Sequence, residues 1–269
     1  MRLPGYLDRI RYRGPVTPTL TTLSAIHRSH LEAISYENLD IHLGRPLALG
    51  AEAAYRKIVV GGRGGWCYEM NGLLAWALRE IGFDVTMLAG GVGWETAGPS
   101  VEGNHLVLLV RLDRPYLADV GFGDGFPEPL PLEPGQYRHG FLDFAVEQVE
   151  DRWRVRNHPW GSAPSFDLTL RGRQLTDFAA KCHELQTSPE SGFVRRTVCQ
   201  RFGPEGIRTL RGAVFRRVTA VGVEERVIDA VDDYRVVLET EFDLRIDGVE
   251  GLWERVWERH RRWVAERGQ

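Results

Sequence analysis

The sequence predicts an α+β fold, because helical and strand-like patterns occupy separate stretches of the chain. In the first third, apolar residues recur at intervals of three and four, which is the period of a helix that buries one face. From Phe83 onward the runs are short, apolar or alternating, and glycine, proline and aspartate bound them, as is typical of strands. With 269 residues and 43% hydrophobic content, the chain can bury a sizeable core.

Two helices are predicted before the strands begin. The first covers TLTTLSAIHRSHLEAISYENL, with Thr17 as its N-cap and Pro18 at its first position. The second runs from about Tyr68 to Ile81, and Gly82 follows it as a residue suited to end a helix.

The strand-like runs fill the middle of the chain, and helices return near its end. VTMLAG, HLVLLVRL, PYLADVGF, FLDFAVEQV, WRVRN and FDLTL are predicted strands, QLTDFAAKCHEL is a predicted helix, and the strand-like TLRGAVFRRV and EERVI precede the helical AVDDYRVVLETEF. The last helix, 250–267, carries Leu252, Val256, Trp257 and Val264 on one face. Charges of both signs on its other face favour docking on this protein over a membrane.

Charge and cysteine content exclude several classes of function. The formal net charge is -3 and the charges are mixed, so no basic block offers a site for nucleic acid. The N-terminus, MRLPGYLDRIRYRG, lacks the apolar core of a secretory signal, and no stretch is long enough to span a bilayer. Three cysteines without a CxxC pair argue against a disulfide framework and a zinc ribbon. We therefore expect a cytoplasmic protein without a membrane partner.

Cys67 is the candidate nucleophile. It follows a glycine-rich segment, GGRGGW, and stands at the start of the second predicted helix. The partial positive charge of a helix N-terminus stabilises a thiolate, so we expect a lowered thiol pKa. The alternative is a small buried hydrophobic residue, which is the usual role of a free cysteine.

His105 and Asp119 are the candidate partners of this thiol. His105 begins the run HLVLLVRL, and Asp119 ends the next predicted strand, where a carboxylate among apolar residues needs a partner. A hairpin turn between the two strands brings the start of one beside the end of the other. A Cys, His, Asp set suits an acyltransferase, a cysteine protease or a transglutaminase-like enzyme equally well.

Two other groups of histidine and cysteine are given no chemical role. His27 and His30 share a helical face and are predicted surface polar groups. His183 follows Cys182, but adjacent helical residues face different directions and no second pair is near in sequence, so no metal site is predicted.

Several segments resemble the arylamine N-acetyltransferases. RGGWCYEMNGLLAWALREIGFDV is similar to that family's nucleophile segment, usually written RGGYCFEQNGLF, and SYENLDIHLGRPL is similar to PFENLDIHLGRPI. NHLVLLVRLDRPYLADVGFGD and LQTSPESGF follow in the family's order, and the similarity runs from Tyr6 to about Ile246. The resemblance implies a helical domain over 1–84, a central antiparallel β-barrel over 85–190 and an α/β lid over 191–269, around a core like that of cysteine proteinases.

The resemblance also implies a role for individual residues. Cys67 would be the acyl-carrying nucleophile, His105 its base and Asp119 the orienting carboxylate, while Glu37 and Arg63 would form a buried ion pair. Tyr36 and Phe122 would contact the acceptor. The implied coenzyme A contacts are Val92, Gly93, Trp94, Gly121, Phe122, Gly123 and Gly125. Asp124, where glycine is frequent in the family, puts a negative charge beside that loop.

The implied reaction is transfer of an acetyl group from acetyl-coenzyme A, as acyl donor, to an arylamine, an arylhydrazine or an N-hydroxyarylamine. It would proceed by a ping-pong mechanism through a thioester on Cys67, without a metal. Xenobiotic metabolism is the implied role. The rivals are an amide synthase that closes a macrolactam, a cysteine hydrolase with the same triad, and a non-catalytic binding module. The acceptor, the acyl chain length, the choice between monomer and homo-oligomer, and the role of helix 250–267 stay open.

Overall fold

The fold of residues 1–267 is described by a computed structural model. Its helices, in chain order, are α1 (Leu3–Arg9), α2 (Leu20–Ala33), α3 (Leu39–His42), α4 (Ala51–Tyr55), α5 (Cys67–Ile81), α6 (Trp94–Ala97), α7 (Ala179–Thr187), α8 (Gly192–Arg195), α9 (Val231–Phe242) and α10 (Val249–Arg267). A π-helical turn over 56–60 follows α4. Within this described part of the chain, no helix combines the length and the apolar character needed to cross a membrane.

The strands form two antiparallel sheets. They are β1 (Tyr36–Glu37), β2 (Asp84–Val92), β3 (His105–Arg111), β4 (Pro115–Ala118), β5 (Leu130–Pro131), β6 (Gly135–His139), β7 (Leu142–Val149), β8 (Arg152–Arg156), β9 (Ser165–Arg173), β10 (Val198–Gly203), β11 (Gly206–Arg211), β12 (Val214–Thr219) and β13 (Gly222–Val227). Eight strands in the order β5-β4-β3-β2-β9-β8-β7-β6 curl into a nearly closed barrel, and five in the order β1-β10-β11-β12-β13 form the second sheet. The predicted α+β class with its central barrel is confirmed.

The two predicted early helices are present, but α2 ends at Ala33, and the predicted helical residues 34–39 instead contain strand β1, so that part of the prediction is wrong. Thr19, not Thr17, caps α2, because its side-chain oxygen accepts a hydrogen bond from the Thr22 N–H at 3.3 Å. The predicted cap at Thr17 and Pro18 is therefore wrong by two residues. Helix α5 begins at Cys67 and ends before Gly82, whose φ of 103° suits a glycine cap, so that prediction is confirmed.

The chain packs around two apolar cores. The larger one lies among α2, α5 and the inner face of the barrel, and the smaller one lies between the second sheet and helices α9 and α10. Leu252 and Val256 are buried in the smaller core, so α10 docks on this chain as predicted, although Val264 is half exposed. Strand β1 pairs with β10, which joins the N-terminal region to the second sheet. The division at 84 and 190 stays a prediction.

The glycine-rich segment before α5 is held against the end of α2 and the start of β1. The Gly65 N–H donates to the Ser35 carbonyl at 3.2 Å, and the Glu37 N–H donates to the Gly65 carbonyl at 2.9 Å. Gly64 lies so near this backbone that a Cβ there would stand 2.1 Å from the Ser35 carbonyl oxygen. Only glycine fits, and the close contact fixes the approach of the chain to Cys67.

We therefore expect Gly64→Ala to lower the free energy of unfolding by about 3 kcal/mol, because the backbone must move to admit the methyl group. Urea denaturation measures this change. Gly192→Ala is the matched control, since no atom lies within 4 Å of its Cβ position, and its stability should be equal to wild type or slightly higher. Equal stability of the two variants would refute this account of Gly64.

Candidate active site

Cys67 borders a cavity of about 540 Å³ at the junction of the helices, the barrel and the second sheet. The cysteine is the first residue of α5 and is almost fully buried. His105 and Tyr36 border the same cavity, and so do Phe122 and Val92. The candidate nucleophile, its candidate base and two aromatic rings therefore line one cavity.

His105 is bonded to Asp119, as the hairpin prediction requires. Strands β3 and β4 pair in antiparallel register, with Leu108 opposite Ala118, so the residue after β4 lies beside the start of β3. His105 Nε2 is 2.6 Å from Asp119 Oδ2, and both side chains are buried. Because the carboxylate binds Nε2, Nδ1 is the ring nitrogen left to accept the thiol proton.

Asp119 has further partners that the sequence did not reveal. Its Oδ1 accepts a hydrogen bond from Asn71 Nδ2 at 2.7 Å and another from the Gly121 N–H at 2.9 Å. Asn71 Oδ1 in turn accepts from the Val120 N–H at 2.9 Å. Asn71 lies one helical turn after Cys67, and that spacing on α5 is the signal that could have identified it.

His27 also belongs to this network, so its predicted surface position is wrong. Both His27 and His30 are fully buried, because α2 packs into the larger core. His27 Nε2 accepts the Asp119 backbone N–H at 3.0 Å, and Nδ1 donates to the Pro127 carbonyl at 3.0 Å. Burial lowers the pKa of His27 to about 4, so the ring is neutral and keeps its acceptor nitrogen at neutral pH.

The thiol of Cys67 is not activated by its helix position alone. Burial raises the pKa of this thiol, and the negative charge of Asp119 raises it further. The backbone N–H groups of Leu106 and Tyr68 stabilise the thiolate and act in the opposite direction. The prediction of a lowered thiol pKa from the helix N-terminus is therefore wrong, and the thiol needs a proton acceptor, for which His105 is available in the same cavity.

A buried charge cluster supports the segment that leads into Cys67. Arg63 Nη2 lies 2.7 Å from Glu37 Oε1 and 3.0 Å from Asp40 Oδ1, so the ion pair expected for Glu37 and Arg63 is present. Lys57 adds contacts to Asp40 at 3.0 Å and to Glu69 at 2.9 Å. Lys57, Asp40 and Glu69 could not be predicted as members of this cluster, because the fold brings the π-helical turn, α3 and the start of α5 together from separate parts of the chain.

The loop expected to bind coenzyme A is only partly open to the cavity. Gly121 and Phe122 border it. A Cβ at Gly123 would stand 2.0 Å from Gln200 Oε1, and one at Gly125 would stand 3.0 Å from Phe122 Cβ, so protein atoms fill the space beside both glycines. Asp124 is buried, and its Oδ2 accepts hydrogen bonds from the Ser162 N–H at 2.8 Å and the Ser162 hydroxyl at 2.6 Å.

The residues at the end of β2 that were expected to contact coenzyme A also line the cavity only in part. Val92 borders the cavity, whereas Gly93 and Trp94 are not among the residues that line it. The Trp94 ring packs under the Arg152 guanidinium at 5.0 Å. Residues 1–267 contain no cluster of three histidine, cysteine, aspartate or glutamate side chains suited to a metal ion.

This arrangement defines a class of site: a buried cysteine and a buried histidine line one cavity, and the histidine is hydrogen-bonded to a buried aspartate behind it. A family model described as N-acetyltransferase matches residues 19–250. An arylamine N-acetyltransferase of Mycolicibacterium smegmatis is 39% identical over 212 residues, 72% of this chain and 74% of that protein. The arylamine N-acetyltransferase pineal gland isozyme NAT-3 of Gallus gallus is 35% identical over 238 residues, 79% of this chain and 81% of that protein.

A solved structure agrees with these relatives. The arylamine N-acetyltransferase of Mycobacterium marinum in complex with CoA superposes with a TM-score of 0.88 at 30% identity, over 96% of this chain and 99% of that one. The chain belongs to the arylamine N-acetyltransferase family, and it is an acyltransferase.

The burial of His27 predicts a specific loss of stability in acid. Its pKa in the folded protein is about 4, below the ordinary value of 6.5. As the pH falls, this histidine is therefore protonated in the unfolded chain at a higher pH than in the folded protein. The contribution of neutral His27 to the free energy of unfolding is fully present above pH 6.5, and it falls by about 3 kcal/mol as the pH drops to 4. In His27→Gln the unfolding free energy should therefore depend less steeply on pH, by about 1.4 kcal/mol per pH unit in this window.

Urea denaturation at a series of pH values measures this dependence. His183→Gln removes an exposed histidine and serves as the control, since that ring meets solvent in both states. Its pH dependence should equal that of wild type. An unchanged slope in His27→Gln would show that His27 does not carry the effect.

Proposed function

We propose that this protein transfers an acetyl group from acetyl-coenzyme A to an arylamine, an arylhydrazine or an N-hydroxyarylamine, through a thioester on Cys67. The observation that carries the proposal is the bond between His105 Nε2 and Asp119 beside the cavity that Cys67 also borders. The names of the relatives and the CoA complex of the Mycobacterium marinum enzyme support the donor and the acceptor class.

In the first half-reaction, His105 Nδ1 takes the proton of the Cys67 thiol, and the sulfur attacks the carbonyl carbon of the acetyl thioester. Asp119 stabilises the resulting imidazolium through its bond to Nε2. The bond from the acetyl carbon to the coenzyme A sulfur then breaks, and His105 returns the proton to that sulfur. Cys67 now carries the acetyl group, and free coenzyme A leaves.

In the second half-reaction, the acceptor nitrogen attacks the same carbonyl carbon. His105 takes a proton from the nitrogen and gives it to the Cys67 sulfur as the carbon–sulfur bond breaks, which regenerates the thiol. Backbone N–H groups near Cys67, those of Leu106 and Tyr68, are suited to stabilise negative charge in both steps. Donor and acceptor therefore use one site in turn, which predicts ping-pong kinetics.

The walls of the cavity favour a flat aromatic acceptor. Tyr36, Phe122 and Phe193 border it, together with aliphatic Val92, Leu185 and Val198. Aromatic rings pack well edge to face against such walls. The neutral amine of an aromatic ring also needs no carboxylate at the site to bind it.

The direct test of the proposal is intact-mass spectrometry after exposure to acetyl-coenzyme A. We expect a single acetyl adduct on wild type and none on Cys67→Ala, because Cys67 is the cysteine that lines the same cavity as His105. Cys182→Ala, which removes another buried free thiol, is the control and should still form the adduct. Addition of an aromatic amine should discharge it. Failure to form the adduct on wild type would refute the proposal, and rapid loss without amine would indicate a hydrolase.

Asp119→Asn should slow formation of the adduct by roughly 10³- to 10⁴-fold. The amide would donate to His105 Nε2, which places the remaining proton on Nδ1 and leaves no acceptor for the thiol proton. Iodoacetamide labelling of Cys67 at neutral pH should slow in the same variant, which a purely structural role would not require. Asp143→Asn, on the outside of the barrel, is the control. Labelling at the wild-type rate in folded Asp119→Asn would contradict this role.

A further inference from the structure

One side chain of α2 contacts both ends of the loop that carries Asp119. This loop runs from Asp119, the residue after β4, to Pro127, and β5 begins at Leu130. His27 Nε2 lies 3.0 Å from the Asp119 backbone nitrogen, and His27 Nδ1 lies 3.0 Å from the Pro127 carbonyl oxygen. A single imidazole therefore closes the loop 119–127.

The two neighbours of the His27 ring fix its tautomer. A backbone N–H can only donate and a carbonyl oxygen can only accept, so His27 Nε2 is the acceptor and Nδ1 carries the proton. Burial lowers the pKa of His27 to about 4, so this neutral form persists at neutral pH. Both ring nitrogens are therefore used, and the same loop uses both.

The loop that His27 closes contacts the His105 imidazole in two ways. Asp119 Oδ2 is 2.6 Å from His105 Nε2, and the Phe122 ring packs edge to face on the His105 ring, with the two centroids 5.3 Å apart. Phe122 also borders the cavity at Cys67. A change in the path of the loop would therefore move a carboxylate and an aromatic wall relative to His105.

Other side chains hold different parts of this loop. Asn71 binds the carboxylate of Asp119, and Ser162 binds Asp124 in the middle of the loop. The backbone N–H of Asp119 donates to His27 instead. Without that acceptor the buried N–H would be unpaired, which costs free energy, and rotation of the peptide at Asp119 would relieve the cost. The same rotation would turn the carboxylate away from its imidazole partner.

The His27 ring is also packed against the loop. It is fully buried, and Phe126 stacks on it with the centroids 5.9 Å apart and the ring planes at 10°. The next residue on α2, Arg28, pairs with Glu128 just beyond the loop. Because this pair is exposed, it contributes little to stability. The buried imidazole is therefore the main anchor between α2 and the loop.

We propose that His27 is a positioning residue of the acyl transfer. It binds both ends of the loop 119–127 and thereby holds the Asp119 carboxylate against His105 and the Phe122 ring at the wall of the cavity. His27 is not among the residues that line the cavity at Cys67, so it acts through Asp119 and not on a substrate. The inference rests on the proposed function, because it concerns the same reaction.

The test uses three substitutions that differ in the ring nitrogen they replace. In His27→Gln, the amide oxygen can take the place of Nε2 and accept the Asp119 N–H. In His27→Asn, the shorter amide can take the place of Nδ1 and donate to Pro127, but it does not reach Asp119. His27→Leu fills the space with an apolar side chain and binds neither end, which gives a second variant without the acceptor if His27→Asn does not fold.

We expect acetylation of Cys67 by acetyl-coenzyme A to slow by roughly 10- to 100-fold in His27→Asn and His27→Leu, the loss that a displacement of about 1 Å near the reacting groups can cause. His27→Gln should keep most of the wild-type rate, because it keeps the acceptor for Asp119. Intact-mass spectrometry measures these rates, in variants that urea denaturation shows to be folded under the assay conditions.

Iodoacetamide labelling of Cys67 at neutral pH separates a positioning role from a purely structural one, and it needs no acyl donor. If Asp119 moves away from His105, the thiol is activated less, so labelling of the Cys67 peptide should slow in His27→Asn and His27→Leu. Loss of stability alone would open the fold more often and make the labelling faster.

His30→Asn is the matched control. His30 lies about one turn further along α2 and is equally buried, but its Nδ1 is bonded to the Tyr6 hydroxyl at 2.9 Å and not to the loop. This variant should lose stability as His27→Asn does, and yet its Cys67 should be acetylated and labelled at the wild-type rates.

Wild-type rates of both reactions in folded His27→Asn or His27→Leu would overturn the inference. Equal losses in His27→Gln and His27→Asn, or in His30→Asn and His27→Asn, would overturn it as well. Slow acetylation together with faster labelling would assign His27 a structural role only. Absence of an acetyl adduct on wild type would instead refute the proposed function, while the labelling comparison would still test whether His27 holds Asp119 in place.

Discussion

The buried carboxylate of Asp119 is the constraint on which the site depends. An ionised carboxylate without water must have partners, and this one receives them from three separate parts of the chain. His105 at the start of β3 and Asn71 on α5 contact its oxygens, and the Gly121 N–H completes the set. His27 on α2 accepts the backbone N–H of the same residue. Helices and barrel must therefore pack in one arrangement for the charge to be tolerated, and in that arrangement the thiol and the imidazole line the same cavity.

A second set of buried charges positions the segment that leads into the candidate nucleophile. Glu37, in β1, binds Arg63 from the glycine-rich segment, and Lys57 contacts both Asp40 and Glu69. The cluster is far from the C-terminal sheet in sequence, yet β1 belongs to that sheet through β10. Movement of the sheet would thus disturb the backbone just before Cys67. The ion pair of Arg63 with Glu37 and the close backbone contact at Gly64 both restrain the segment that leads into Cys67.

Two adjoining cavities differ in the side chains that line them. The catalytic space has aromatic and aliphatic walls near the buried thiol, and it shares Arg195, Arg196 and Arg211 with the second cavity. The second is rich in arginine and has little carboxylate to balance it.

The sequence by itself determined the helix that begins at Cys67, the hairpin of β3 and β4 and the identity of the three candidate catalytic side chains. These follow from local periods, turn residues and a short motif, which involve neighbours along the chain. Only the tertiary structure decided that His27 is buried, that Asn71 contacts Asp119 and that Gly123 faces Gln200. Such contacts join residues far apart in sequence. The rise in the thiol pKa is of the same kind, because it depends on how much water the whole fold excludes.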